Sequence, residues 1–159
     1  MRILESQEYQ PKARAVYERI AAAFRTRLPN ATIEHIGSSA ITGAASKGDL
    51  DVFVGVDRCE FEQAVAIIQS LGFMIKTNTL RTPELCPFES SNYAIDVGVQ
   101  LVERGSRFEF FRKFRDCLNS DPQLRERYNQ LKREAAPLGE FEYRERKSAF
   151  IERVLAETR

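Results

Sequence analysis

Residues 34–56 read EHIGSSAITGAASKGDLDVFVGV, and the fold turns on how this stretch is parsed. Ala31 to Ile36 reads as a short strand, and Gly37 to Gly48 as a loop of small residues. Asp49 to Val56 reads as a longer strand whose Leu50, Val52, Val54 and Val56 share one face. Asp49 and Asp51 leave the opposite face together, because side chains alternate along a strand. Strands disfavour aspartate, and two unit charges about 4 Å apart repel by about 4 kcal/mol at an effective dielectric near 20. A hard divalent cation with oxygen ligands removes that conflict, and Mg²⁺ in particular bridges carboxylates to phosphates.

Two further features complete the constellation. Asp96 lies between Ile95 and Val97, inside an apolar pattern from Tyr93 to Val102 that reads as a later strand. The Gly37-Ser38 turn lets a phosphate approach the backbone, with the Ser38 and Ser39 hydroxyls as donors and Lys47 as a nearby cation. Taken singly, a Gly-Ser turn or an Asp-x-Asp pair is ordinary. Their order is specific: strand, Gly-Ser, ten residues, two alternating acids, then a distant acid between apolar residues.

Working outward, Pro11 to about Arg27 reads as a helix, with Val16, Ile20, Ala23 and Phe24 at helical spacing. A second helix follows Val56, opened by Asp57 and Glu60 at capping-box spacing, striped by Phe61, Val65, Ile68 and Leu71, and closed by Gly72. Phe73 to Thr77 reads as a strand and Thr79 to Asn92 as loop or irregular hairpin. Beyond Gly105 three helices are expected. One carries Phe108, Phe111, Phe114 and Leu118, one starts at Asp121-Pro122 with Leu124, Tyr128 and Leu131 on one face, and one spans about Glu140 to Ala156. The class is α+β, a mixed sheet with flanking helices and a helical C-terminal segment.

The chain has 159 residues, room for one ordinary domain. Lys and Arg total 24 against 23 Asp and Glu, so nothing in the net charge draws it to nucleic acid, and any basic site must be local. No apolar run approaches the roughly 18 residues that cross a bilayer, and the acidic start does not resemble a signal peptide. Cys59, Cys86 and Cys117 are too few and too scattered for a disulfide framework or a zinc site. A cytoplasmic location without membrane attachment is the expectation.

His35, the single histidine, reads as a structural or supporting residue, although its strand position puts it on the side of Gly37. Arg112 and Lys113 read as a solvated face above a phenylalanine stripe. Arg115 is open between a triphosphate contact and an anchor for Asp116, and Arg81 is a loop cation within conceivable reach of substrate.

The joint pattern of Gly37, Ser38, Asp49, Asp51 and Asp96 resembles the DNA polymerase β-type nucleotidyltransferase superfamily. Within it, most of the chain is similar to the GrpB (UPF0157) family. Glu34 to Ala40 resembles that family's Glu-His-Ile-Gly-Ser-Thr-Ala block, Gly43 and Lys47 match its next glycine and lysine, and Phe114 to Leu118 resembles its Phe-Arg-Asp-Tyr-Leu segment. Tyr128, Leu131-Lys132 and Lys147 to Ile151 fit its helical tail. Where the family commonly reads Lys-Pro-Ile-Ile-Asp-Ile, this chain has Lys47-Gly48-Asp49-Leu50-Asp51-Val52. Its His-x-His strand appears here as Ile95 to Gly98, and Thr42 stands where proline is usual. The chain thus carries the fuller acidic set of active nucleotidyltransferases.

The resemblance implies one nucleotidyltransferase-like domain over residues 1–159, with a core of about 10–104 and a helical tail of about 105–159. It also implies Mg²⁺, with Mn²⁺ as a substitute, on Asp49, Asp51 and Asp96. A nucleoside triphosphate, ATP foremost, would be held by Gly37, Ser38, Ser39 and Lys47, and its monophosphate passed to an unidentified acceptor. The alternative is a catalytically silent nucleotide-binding or interaction module on the same fold.

Overall fold

The structure, a computed structural model, describes residues 1–158. Helix α1 runs Ser6–Arg27, β1 Thr32–Ile36, β2 Leu50–Val56 and α2 Phe61–Ser70. Then come β3 Met74–Ile75, β4 Leu85–Ser90 and β5 Val97–Glu103, followed by α3 Phe110–Ser120, α4 Pro122–Ala135 and α5 Glu140–Glu157. The five strands form one mixed sheet in the order β1-β2-β5-β4-β3. Only β2 and β5 are parallel, with Leu50 opposite Val97 and Asp51 opposite Gly98.

One face of the sheet carries Leu50, Val52, Val54, Val99 and Leu101 and packs against α1 and α2. On the other face, Ile36, Phe53, Leu85 and Val102 meet Phe108, with Phe111 alongside. Helices α3, α4 and α5 bury Phe114, Leu118, Tyr128, Phe150 and Val154 against Ile41 and Ala44 of the 37–48 loop. That contact sets the helical tail against the loop.

Several expectations need correction. Helix α1 begins at Ser6, before Pro11, because the Glu8 carboxylate accepts the Glu5 N–H at 2.6 Å and caps an otherwise polar first turn. Asp57 and Glu60 form no capping box. Asp57 accepts from Arg104 at 2.7 Å, Glu60 accepts from Asn30, and a short 3₁₀ turn leads into α2. The expected loop of 79–92 contains β4 despite Pro87. The Pro87 carbonyl accepts from Lys76, just past the end of β3, so the missing proline N–H faces a side where no strand continues. Strand β5 starts at Val97 rather than Tyr93, because ladder pairs with β2 and β4 begin there and the residue before it is bonded only through the Asp96 carbonyl, which accepts from Leu50. Asp96 therefore stands before the strand and is exposed. The stop at Gly72 is as expected, with φ +97°.

Candidate active site

Asp51 sits where β1, β2 and β5 converge, and its carboxylate fills space left by two glycines. A Cβ at Gly37 would lie 2.5 Å from Asp51 Oδ2, and one at Gly98 would lie 2.8 Å from Oδ1. Gly37 also has φ +74°, where a side chain is strained. The structure gives Gly37 a reason apart from the expected phosphate access: a side chain there would crowd this carboxylate. The same holds for Gly98 on the neighbouring strand. Among the described residues no Lys, Arg or His forms an ion pair with Asp51. Burial first, and the charge of Asp49 second, push its carboxyl up to about 7, with Lys147, Lys47 and Lys76 pulling the other way.

Three cavities meet at these acids. A polar cleft of about 430 Å³ is lined by Lys47, Asp49, Asp51, Lys76, Asp96 and Arg144, among others. A second of about 430 Å³ shares Lys47, Asp49 and Asp96 and adds Lys12 and Tyr93. A smaller, more apolar one of about 170 Å³ lies between Ser38, Asp51 and Lys147 on one side and Phe110, Phe114 and Tyr128 on the other. Asp49 lines all three, and the three predicted acids share the first. They are not gathered tightly: among the described residues, no three His, Cys, Asp or Glu side chains cluster closely enough to hold one ion.

In a chain of near-neutral net charge, the lysines are concentrated locally around these cavities. The chain contains six lysines, and among the described residues none joins an ion pair, whereas every pair uses arginine. Lys12, Lys47, Lys76 and Lys147 line the three cavities, and Lys132 lies buried beneath the Gly37-Ser38 turn.

The 37–48 loop is held by a short 3₁₀ turn, a backbone bridge between Leu4 and Ser46, and a set of side-chain clasps. Gln10 donates to the Ser38 and Ile41 carbonyls, Tyr9 to Ala44, Asn119 to Ala40, and Asn129 to Gly43. Asn119 and Asn129 also accept from Thr42 and Ala45. Ser38 faces the small cavity. Ser39 does not join it: the residue is 5% exposed and its hydroxyl lies 2.7 Å from His35 Nε2. Ser39 follows the Ser38–Ala40 3₁₀ turn away from the acids, so its expected role on the nucleotide is not supported by its position.

His35 opposes Val52, on the face turned away from Asp51, and stacks on Tyr17 at 4.8 Å. Burial, helped by Arg14 and Arg115, pushes it down to about 4, so it is neutral at pH 7. This is the structural reading. Arg115 is an anchor: it pairs with Glu34 at 2.8 Å, donates to the His35 carbonyl at 2.9 Å and meets Asp116 at 2.9 Å. Arg112 also pairs with Glu34, at 2.7 Å, and lies 4.9 Å from the Phe53 ring centroid. Burial alone would raise the Glu34 carboxyl, but the two guanidiniums hold it below its ordinary value. Arg81 is exposed and lines none of the three cavities.

Sequence reasoning missed Gly98, Lys76, Lys132, Arg144 and Lys147 as site residues. Lys132 left two signals, its place in the Leu131-Lys132 pair that fits the family's helical tail and its position four residues after Tyr128 on the buried stripe of α4.

The fold is that of nucleotidyltransferases. A Cid1 poly(U) polymerase solved with Mg 3'-dATP superposes with a TM-score of 0.54 at 16% identity, over 77% of this chain and 38% of that one. A cytoplasmic RNA terminal U-transferase gives 0.55 at 17% identity, over 78% and 38%. Both are more than twice as long as the region they share with this chain. GrpB from Enterococcus faecalis matches across nearly the whole of both chains, 98% and 96%, with a TM-score of 0.79 at 22% identity. A UPF0157 protein of Vibrio cholerae is 48% identical over 157 residues, 99% of this chain and 83% of that protein. Another from Deinococcus radiodurans is 32% identical over 145 residues, 89% and 74%. The model of the family described as GrpB protein matches residues 4–157, and the chain belongs to that family.

Proposed function

We propose that this GrpB protein is a Mg²⁺-dependent nucleotidyltransferase. It moves a nucleoside monophosphate from a nucleoside triphosphate, ATP foremost, to an acceptor hydroxyl or phosphate, and releases pyrophosphate. One observation carries the reading: a carboxylate seated between two glycines, without an ion-pair partner among the described residues, at the foot of a cleft rimmed by unpaired lysines. That arrangement is costly for an empty protein and suited to a cation bound with a polyphosphate. The Cid1 structures named for Mg 3'-dATP and MgGTP support it by analogy of fold.

Asp49 and Asp51 would hold Mg²⁺, and the all-oxygen donor set fits that ion. Its contribution is to neutralise charge on the transferring phosphoryl group. Ser38 donates its hydroxyl to a phosphate oxygen, and Lys147 and Lys47 offset the triphosphate charge. Asp96 faces the acceptor side and accepts the acceptor proton. Catalysis is then mostly positioning and electrostatics.

The placement of Asp96, exposed and outside β5, favours one second reading: a module that binds nucleotide without turning it over. Thermal melts with ATP, GTP, CTP and UTP, each with and without Mg²⁺, test the first half. Ligand at about 100 times its dissociation constant stabilises by about 2.7 kcal/mol. A Mg²⁺-dependent rise of several degrees is expected for at least one triphosphate, and its absence for all four sinks the proposal. Pyrophosphate release with candidate acceptors separates enzyme from binding module.

A further inference from the structure

Lys132 is the one lysine with no exposed surface, 0%. It projects from α4 beneath the Gly37-Ser38 turn, 94 residues away in the chain. Its Nζ donates to Ser38 Oγ at 3.1 Å and to the Ala45 carbonyl, and lies 4.2 Å from the centroid of the Tyr128 ring. No carboxylate pairs with it among the described residues. Burial without a counter-ion is costly for an ammonium, and here it pushes the amine well below its ordinary lysine value. Holding the loop does not require that cost, because Gln10, Asn119 and Asn129 grip neighbouring backbone groups with uncharged amides. Among these clasping residues, Lys132 alone reaches a side-chain hydroxyl that faces the small cavity.

We propose that Lys132 is a positioning residue for Ser38: it donates to Ser38 Oγ from below, leaving the hydroxyl hydrogen to point into the cleft at a phosphate oxygen. The inference rests on the nucleotide reading above. An N–H donated to Oγ occupies one of the hydroxyl's acceptor sites and directs its single hydrogen elsewhere, to the neighbouring Tyr128 oxygen when the cleft is empty and to a phosphate oxygen when one is bound. Lys132 does not touch the substrate, and acts through Ser38.

The test is a double-mutant cycle read by calorimetric titration of MgATP into wild type, Lys132→Met, Ser38→Ala and the double variant, with ligand-free melts of each. Lys132→Met weakens binding about fivefold or more, the scale of one buried hydrogen bond. In the Ser38→Ala background the same change adds less than about twofold, because the interaction it removes is already gone. If Lys132→Met does not fold, Lys132→Gln, which keeps an N–H donor without the charge, takes its place in the same cycle. Equal losses in the two backgrounds would mean that Lys132 merely supports the loop, and unchanged affinity would mean that it does nothing for binding; either overturns the proposal alone. A wild-type protein that binds no nucleotide overturns it together with the reading beneath it.

Discussion

Replacing Asp51 by asparagine should stabilise the protein, and only above a particular pH. The wild-type carboxyl is pushed from its ordinary 3.8 up to about 7 in the fold. The folded chain therefore holds a proton there that the unfolded chain has released, so stability falls as pH rises from about 4 to about 7. At about 1.4 kcal/mol for each tenfold change in proton affinity, ionising Asp51 at pH 8 costs at most about 4 kcal/mol. Asparagine keeps the shape between Gly37 and Gly98 and carries no charge. The Asp51→Asn variant should gain about 2–4 kcal/mol at pH 8, or roughly 5–15 °C in Tm for a domain of this size. At pH 4.5 the wild-type group is already neutral, and the two proteins should melt within about 1 kcal/mol of each other. Differential scanning calorimetry at both pH values, in buffer with chelator, provides the comparison. Added Mg²⁺ should raise the wild-type Tm at pH 8 and leave the variant unmoved. A variant less stable than wild type at pH 8, or a difference that does not change with pH, would refute the account of Asp51 as a half-buried charge without an ion-pair partner.

The remaining expectations concern its neighbours. Gly98→Ala places a Cβ 2.8 Å from Asp51 Oδ1 and should cost about 1–3 kcal/mol in urea unfolding, and an Asp51→Ala background should recover most of that loss. Because His35 is the single histidine, its ring protons can be followed without ambiguity by NMR. They should titrate with a midpoint near 4, and stability should fall as pH drops from about 6.5 toward 4, since only the unfolded chain takes up that proton readily. A midpoint above 6 would contradict the buried stack on Tyr17. Lys147→Ala should weaken triphosphate binding several-fold at low salt, with a smaller deficit at 0.5 M NaCl, because part of its contribution is screened; titrations at the two ionic strengths show whether the deficit shrinks.

What could be read from the residues was whatever is local or periodic. Strand β2, the stop at Gly72 and the Asp121-Pro122 start of α4 were legible because a two-residue alternation, a left-handed glycine and an N-cap carry their meaning within a few positions. Strand β4 was hidden because Pro87 is tolerable only when β3 ends beside it, a fact about a partner strand. The limits of β5 were hidden for the same reason: the alternation continues back to Tyr93, but ladder pairs do not. At the site, Asp49, Asp51 and the Gly-Ser turn were visible as a spaced motif. Gly98 and Lys132 were not, since one matters through a carboxylate on the adjacent strand and the other through a loop nearly a hundred residues earlier. Ser39 was misplaced because sequence adjacency to Ser38 says nothing about which way a 3₁₀ turn directs each hydroxyl.

The clasped loop also bears on when the site comes into being during synthesis. The Gly37-Ser38 turn and its aspartates are translated early, together with Tyr9 and Gln10, yet the rest of the clasp arrives from Asn119, Asn129 and Lys132. A nascent chain that has paired β1 with β2 has the acids in register and Gln10 within reach of the Ser38 carbonyl, but no donor to the Ser38 hydroxyl. Competence would thus be conferred last, when α3 and α4 dock, and a ribosome-stalled chain ending before residue 119 should bind no triphosphate even with β1, β2 and β5 already assembled.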